Sequence, residues 1–128
     1  MRALLDTHTF LWFVLNDPRL SAVAKFTIED PATSILISPA SYWEIAIKIS
    51  AGKYKLISSY EAFWKKGMKD NDIAVLPVEL PHTARLLSMP FHHRDPLDRL
   101  LVAQALAEGI PFVSGDAPLD AYGITRIW

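Results

Sequence analysis

The run Asp95-Pro96-Leu97-Asp98-Arg99-Leu100-Leu101-Val102-Ala103-Gln104-Ala105-Leu106-Ala107-Glu108-Gly109-Ile110-Pro111-Phe112-Val113-Ser114-Gly115-Asp116 carries, in one passage, a complete helix and the strand that follows it. Asp95 is a helix cap and Pro96 suits the first helical position; Leu97 to Ala107 continue the helix, and Gly109 ends it. Pro111 to Ser114 is a short apolar strand that begins two residues later. A helix feeding directly into a short, wholly apolar strand is half of a βα unit, and strands buried on both faces belong to parallel sheets.

The same alternation extends in both directions. Further strands are expected at Ala3 to Leu5, Ile35 to Ser38, Ile73 to Pro77 and Ile124 to Trp128. Helices are expected at Thr7 to Leu15, from the Ser21 cap to Glu29, at Pro39 to Ser50, Tyr60 to Met68 and His82 to Ser88. The fold class is therefore α/β, with a mainly parallel sheet of about five strands. At 128 residues, 51% of them apolar, the chain reads as a single domain, residues 1–128, large enough to bury roughly two thirds of its unfolded surface. Its apolar runs fall short of a membrane span, and Met1 to Leu5 is too short for a signal peptide, so a cytoplasmic location is expected. The absence of Cys excludes disulfides and thiolate metal sites. A net charge of −1 argues against a protein that coats nucleic acid nonspecifically and leaves a local basic patch open.

Four carboxylates carry the chemistry. Asp6 follows the first strand and Asp116 follows the fourth, so both fall at the carboxyl ends of strands, where parallel sheets bind ligands. Asp98 shares a helix face with Leu101, Val102 and Ala105, and Glu44 lines up with Ala40, Ile47 and Ala51 beside the stripe of Trp43, Ala46 and Ser50. Each acid also has an ordinary role open to it: a helix cap for Asp6, a first-turn acid for Asp98, a turn residue for Asp116, and an ion pair with Lys48 for Glu44. Their convergence at one rim, without a matching set of cations, suits a hard divalent ion and metal-assisted phosphodiester chemistry.

Leu4-Leu5-Asp6-Thr7-His8 with Leu11-Trp12, Ser41 to Lys48, Gly52-Lys53, His92 to Ala105, Ser114-Gly115-Asp116 and Tyr122-Gly123 together resemble the PIN-domain family, in particular VapC-type toxins of bacterial toxin–antitoxin pairs. The resemblance spans essentially the whole chain. It implies a three-layer α/β/α fold and an endoribonuclease site binding Mg²⁺ or Mn²⁺ through Asp6, Glu44, Asp98 and Asp116. Thr7 and Ser114 are then hydroxyls able to orient those carboxylates, with Asp95 an accessory acid held in reserve. Arg94, Arg99, Lys48 and Lys53, with His92 and His93, are candidates to meet RNA phosphates; His8 is assigned packing or hydrogen bonding. The aromatic set Phe10, Trp12, Phe13, Trp43, Tyr60, Phe63 and Trp64 is expected to be mostly core. The resemblance further implies a homodimer and a cognate antitoxin lying over the pocket. A receiver domain fails because Asp6 lacks a paired acid and Ile73 to Pro77 contains none. A haloacid-dehalogenase-like phosphatase fails because His8 stands where its second Asp is needed. An RNA-processing nuclease and a non-catalytic binding module of the same fold stay open.

Overall fold

Residue parity along the strands sorts the apolar side chains onto two faces of one sheet. The computed structural model describes all 128 residues, Met1–Trp128. Strands β1 (Arg2–Leu5), β2 (Ser34–Ile37), β3 (Ile73–Val75), β4 (Phe112–Val113) and β5 (Arg126–Ile127) form a five-stranded sheet in the order β3-β2-β1-β4-β5. All four pairings are parallel.

Helices α1 (Thr7–Val14), α2 (Ala22–Glu29), α3 (Pro39–Ser50), α4 (Tyr60–Asp70), α5 (Leu80–Leu86) and α6 (Pro96–Glu108) cover the sheet. Ala3, Leu5, Ile35, Ile37 and Val113 pack on one face with Phe10, Leu11, Ile45 and Trp64. Leu4, Leu36 and Phe112 pack on the other with Leu101, Val102 and Ala105 of α6. Each of these large side chains stabilises the fold by roughly 1.5–3 kcal/mol through its burial. The result is the expected α/β/α arrangement. No helix is long and apolar enough to cross a membrane.

The expected elements are present, with ends shifted for local reasons. α5 begins at Leu80 rather than His82 because Glu79 and His82 form a reciprocal capping box. β4 and β5 are two residues each, shorter than their apolar runs. A 3-10 helix at Ala117–Tyr122, opened by Pro118, has no apolar period to announce it.

The helical phase of α3 corrects the sequence reading. Its buried face is Ala40, Ser41, Glu44 and Ile45, whereas Trp43 is 64% and Ile47 44% exposed. Trp43 thereby leaves the expected aromatic core, while Phe10 and Trp64 stack within it at 4.6 Å. The buried hydroxyl of Ser41, bonded to Thr7 at 2.8 Å, holds the phase that puts Glu44 inside.

Candidate active site

The strand order reverses at β1. The chain runs outward from β1 to β2 and β3, then crosses to β4 on the opposite side, leaving a crevice above the carboxyl ends of β1 and β4. Asp6 continues the alternation of β1 past Leu5 and so falls on the side of Leu4, toward α6. Its backbone N–H donates to the Val113 carbonyl at 3.0 Å, which fastens it across the crevice.

The side chain of Asp6 is not the cap of α1: it accepts no N-terminal bond from that helix. Oδ2 instead accepts from the Ser114 hydroxyl at 2.7 Å, and the buried Oδ1 has no partner. Burial is the main cause that raises the Asp6 pKa, against the lowering effect of Ser114. A desolvated carboxylate oxygen with nothing to bind is costly unless a ligand completes it.

Asp98 stands in the first turn of α6, where Asp95 caps the helix by accepting from the backbone of Leu97 and Asp98 at 2.9 and 3.4 Å. Burial, followed by the charges of Asp6, Asp95, Glu44 and Asp116, pushes the Asp98 carboxyl up to about 7. Asp95 therefore acts on the cluster through its charge while its side chain holds the helix end. Asp116 lies just beyond β4, and its backbone N–H donates to Ser114 Oγ at 3.1 Å. One hydroxyl thus connects two of the acids.

Asp6, Asp98 and Asp116 line a cleft of about 500 Å³, together with His8, Thr9, Trp12, Arg19, Gly115 and Trp128. Glu44 does not line it. Its Oε1 accepts from the Thr7 hydroxyl at 2.8 Å, and Lys48 Nζ lies 3.3 Å from Oε2. Thr7 therefore orients Glu44 rather than its neighbour Asp6. Lys48 also contacts His8 Nε2 at 3.2 Å, which gives His8 a bonding role at the rim.

His93 joins the acids more closely than its placement among phosphate-contacting residues suggested. Its Nε2 lies 3.5 Å from Asp98 Oδ2 and 3.5 Å from Asp116 Oδ2. Tyr122 Oη accepts from its backbone N–H at 2.9 Å, and its Nδ1 accepts from the Asp95 N–H at 3.2 Å. An accepting Nδ1 leaves the proton of the neutral ring on Nε2, facing the two carboxylates as a donor. The only sequence signal was the His pair ahead of Asp95.

Arg99 departs from its expected place. It is 8% exposed, donates to the Met89 carbonyl at 2.9 Å and lies 4.0 Å over the Phe91 ring, so its charge is spent inside the protein. A guanidinium one residue after Asp98 points about a third of a turn away from it. Arg94 and Lys53 are exposed.

The orphaned Oδ1 of Asp6, the oxygen-only donors of Asp98 and Asp116, and the mutual repulsion that lifts Asp98 together fit a hard divalent cation. His93, Asp98 and Asp116 each offer one ligand atom within 4.8 Å of the others. With Nδ1 accepting from the Asp95 N–H, Nε2 is the ring nitrogen of His93 that faces the acids.

Comparison with known proteins identifies the family and the fold. The family profile described as PIN domain matches residues 3–124. No match was found among curated proteins. Among solved structures, VapBC2 from Rickettsia felis, bound to a DNA fragment from its promoter, superposes with a TM-score of 0.75 at 12% identity, covering 98% of this chain and 97% of that one. VapBC-1 from nontypeable Haemophilus influenzae gives 0.63 at 16% identity, with 98% and 96% covered. VapBC-5 from Mycobacterium tuberculosis, of a toxin–antitoxin family, gives 0.60 at 15%, with 98% and 94% covered. At these identities the likeness is one of fold.

Proposed function

The chain belongs to the PIN-domain family, whose members are generally nucleases that use divalent metals, and on that premise we propose that it is a Mg²⁺-dependent endoribonuclease acting as the toxin of a toxin–antitoxin pair. The observation that carries this reading is the buried, unpartnered Oδ1 of Asp6 beside Asp98 and Asp116 at the crevice between β1 and β4.

Asp6, Asp98 and Asp116 would hold the ion, with Mn²⁺ an acceptable substitute and Glu44 supporting from behind the cleft. A bound Mg²⁺ would supply Lewis acidity toward the phosphate and lower the pKa of a water. Ser114 keeps Asp6 aimed into the cleft and fixes the backbone of Asp116. The Asp116 carboxylate accepts no hydroxyl or backbone bond, which leaves it available to take the attacking water's proton. Glu44 is less suited to that step, because Thr7 and Lys48 occupy its two oxygens. His93 Nε2 stands at the edge of the same site, 3.5 Å from both Asp98 and Asp116.

The partner reading is supported by fold likeness to structures described as VapBC complexes: a cognate antitoxin would hold the enzyme inactive. A homodimer in the cytoplasm completes the proposal, with exposed Phe26, Trp43 and Leu87 offering apolar surface of the kind such pairing covers. The test is cleavage of a mixed cellular RNA pool by purified, antitoxin-free protein in Mg²⁺, Mn²⁺ or EDTA, beside folded Asp6→Asn and Asp98→Asn variants. Metal-dependent cutting lost in both variants is expected; equal cutting by the variants rejects the site.

A further inference from the structure

The cleft has a second wall that the chemistry of the acids leaves unexplained. Beside the carboxylates stand two indoles, Trp12 from α1 and Trp128 from beyond β5, with ring centroids 5.8 Å apart and planes tilted by 59°. Both are half-buried. The backbone makes room for Trp128 at Gly115: a Cβ there would stand 2.9 Å from the indole, too close for any other residue without displacing the ring. Trp128 is therefore seated directly beside Asp116.

Arg19 completes this wall. Its guanidinium lies 4.9 Å over the Trp12 ring and is held by Asp17 through Nε at 3.1 Å and Nη2 at 2.8 Å. Nη1 makes no bond within the protein and the side chain is 68% exposed. One cleft thus presents an acid cluster, a positioned arginine with a free N–H edge, and two aromatic rings. A nucleotide uses all three: phosphate at the acids, the adjoining phosphate at Arg19, and a flat base on the aromatic wall.

Resting on the nuclease reading above, we infer that Trp128 and Trp12 form a base-stacking subsite beside the scissile phosphate, with Arg19 as the contact for the neighbouring phosphate. A base inside a duplex cannot leave its stack to reach this wall without the cost of unpairing. Stacking tolerates any base, so the subsite selects for an unpaired nucleotide rather than for a sequence.

The experiment is equilibrium binding of a labelled single-stranded octaribonucleotide and its fully abasic counterpart, equal in charge, in Ca²⁺, with Mg²⁺-dependent cutting measured in parallel. The intact strand is expected to bind roughly tenfold tighter or more. Trp128→Leu, which keeps apolar bulk, should collapse that ratio, and Trp128→Phe should restore most of it. Arg19→Gln should weaken both strands alike and reduce the salt slope by about one. Equal binding of the two strands by the wild-type protein overturns the inference and assigns the aromatic wall to a protein partner; so does a ratio that Trp128→Leu and Trp12→Leu both leave unchanged. Cutting without base-dependent binding rejects the subsite and leaves the nuclease standing. Base-dependent binding lost in Trp128→Leu without cutting rejects the nuclease and leaves the subsite.

Discussion

Single carboxylates decide whether the cleft works. Asp6→Asn keeps the shape of the side chain and the bond to Ser114 but removes the charge; RNA cleavage should fall by at least about a hundredfold while the circular dichroism spectrum is unchanged. Ser114→Ala strips the hydroxyl from both Asp6 and the Asp116 backbone, and should weaken Mg²⁺ binding by roughly tenfold or more, read from titration of the metal-dependent melting shift. Asp98 gives a pH prediction. Its pKa rises from 3.8 to about 7 on folding, so the folded state favours the protonated acid, and the metal-free protein loses that stability as pH climbs from about 4 to about 7. Melting in EDTA should show this loss, Asp98→Asn should lessen it while the raised Asp6 carboxyl keeps a share, and Mg²⁺ should release a proton and stabilise most at the upper end of the window. The meeting of Asp6, Asp98 and Asp116 at one cleft was legible because acids at strand ends and on a buried helix face converge on one rim; Glu44 is buried but lies behind the cleft. His93 and the burial of Arg99 were not legible, since the loop path between Ser88 and Asp95 fixes both and leaves no period in the sequence.

Helices deliver these residues, and their ends are where delivery is controlled. Asp95 caps α6 through two backbone bonds and Gly109 closes it in the left-handed region at φ 65, so the element carrying Asp98 is fixed at both ends, as its composition announced. The far end is tied by His82, 1% exposed, whose Nε2 lies 2.8 Å from Glu108 while Nδ1 accepts from the Glu79 N–H at 3.0 Å. His82→Ala should cost about 2 kcal/mol, measured by urea unfolding, with little change in the metal response, because it empties a buried site remote from the cleft. That tie escaped sequence reading: the apolar pattern of α5 is weak, and a histidine in its first turn gives no sign of a partner 26 residues away. The face of α3 was misread for a related reason. Trp43 heads a stripe with Ala46 and Ser50 and Ile47 falls in line with Glu44, but the hydroxyls of Thr7 and Ser41 hold Ser41 and Glu44 inward beside Ala40 and Ile45 and leave Trp43 and Ile47 outside.

Across the whole molecule, the layer order was readable because five apolar runs separated by helices permit few arrangements, and right-handed crossovers place Asp6 and Asp116 on one rim. What no run specified was the order of strands, and the pairing of β1 with β4 is what brings the acids together. The bond from Ser114 to Asp6 joins residues 108 apart. During synthesis the ribosome therefore releases the first acid, its helices and most of the sheet long before the hydroxyl and the last carboxylate that finish the cleft. Pairing of the central strand and completion of the acid cluster are one event, because β1 stays unpaired along one side until β4 arrives. On the proposed function, a chain still lacking β4 would be harmless to the machinery that makes it, kept so by the topology of a single strand.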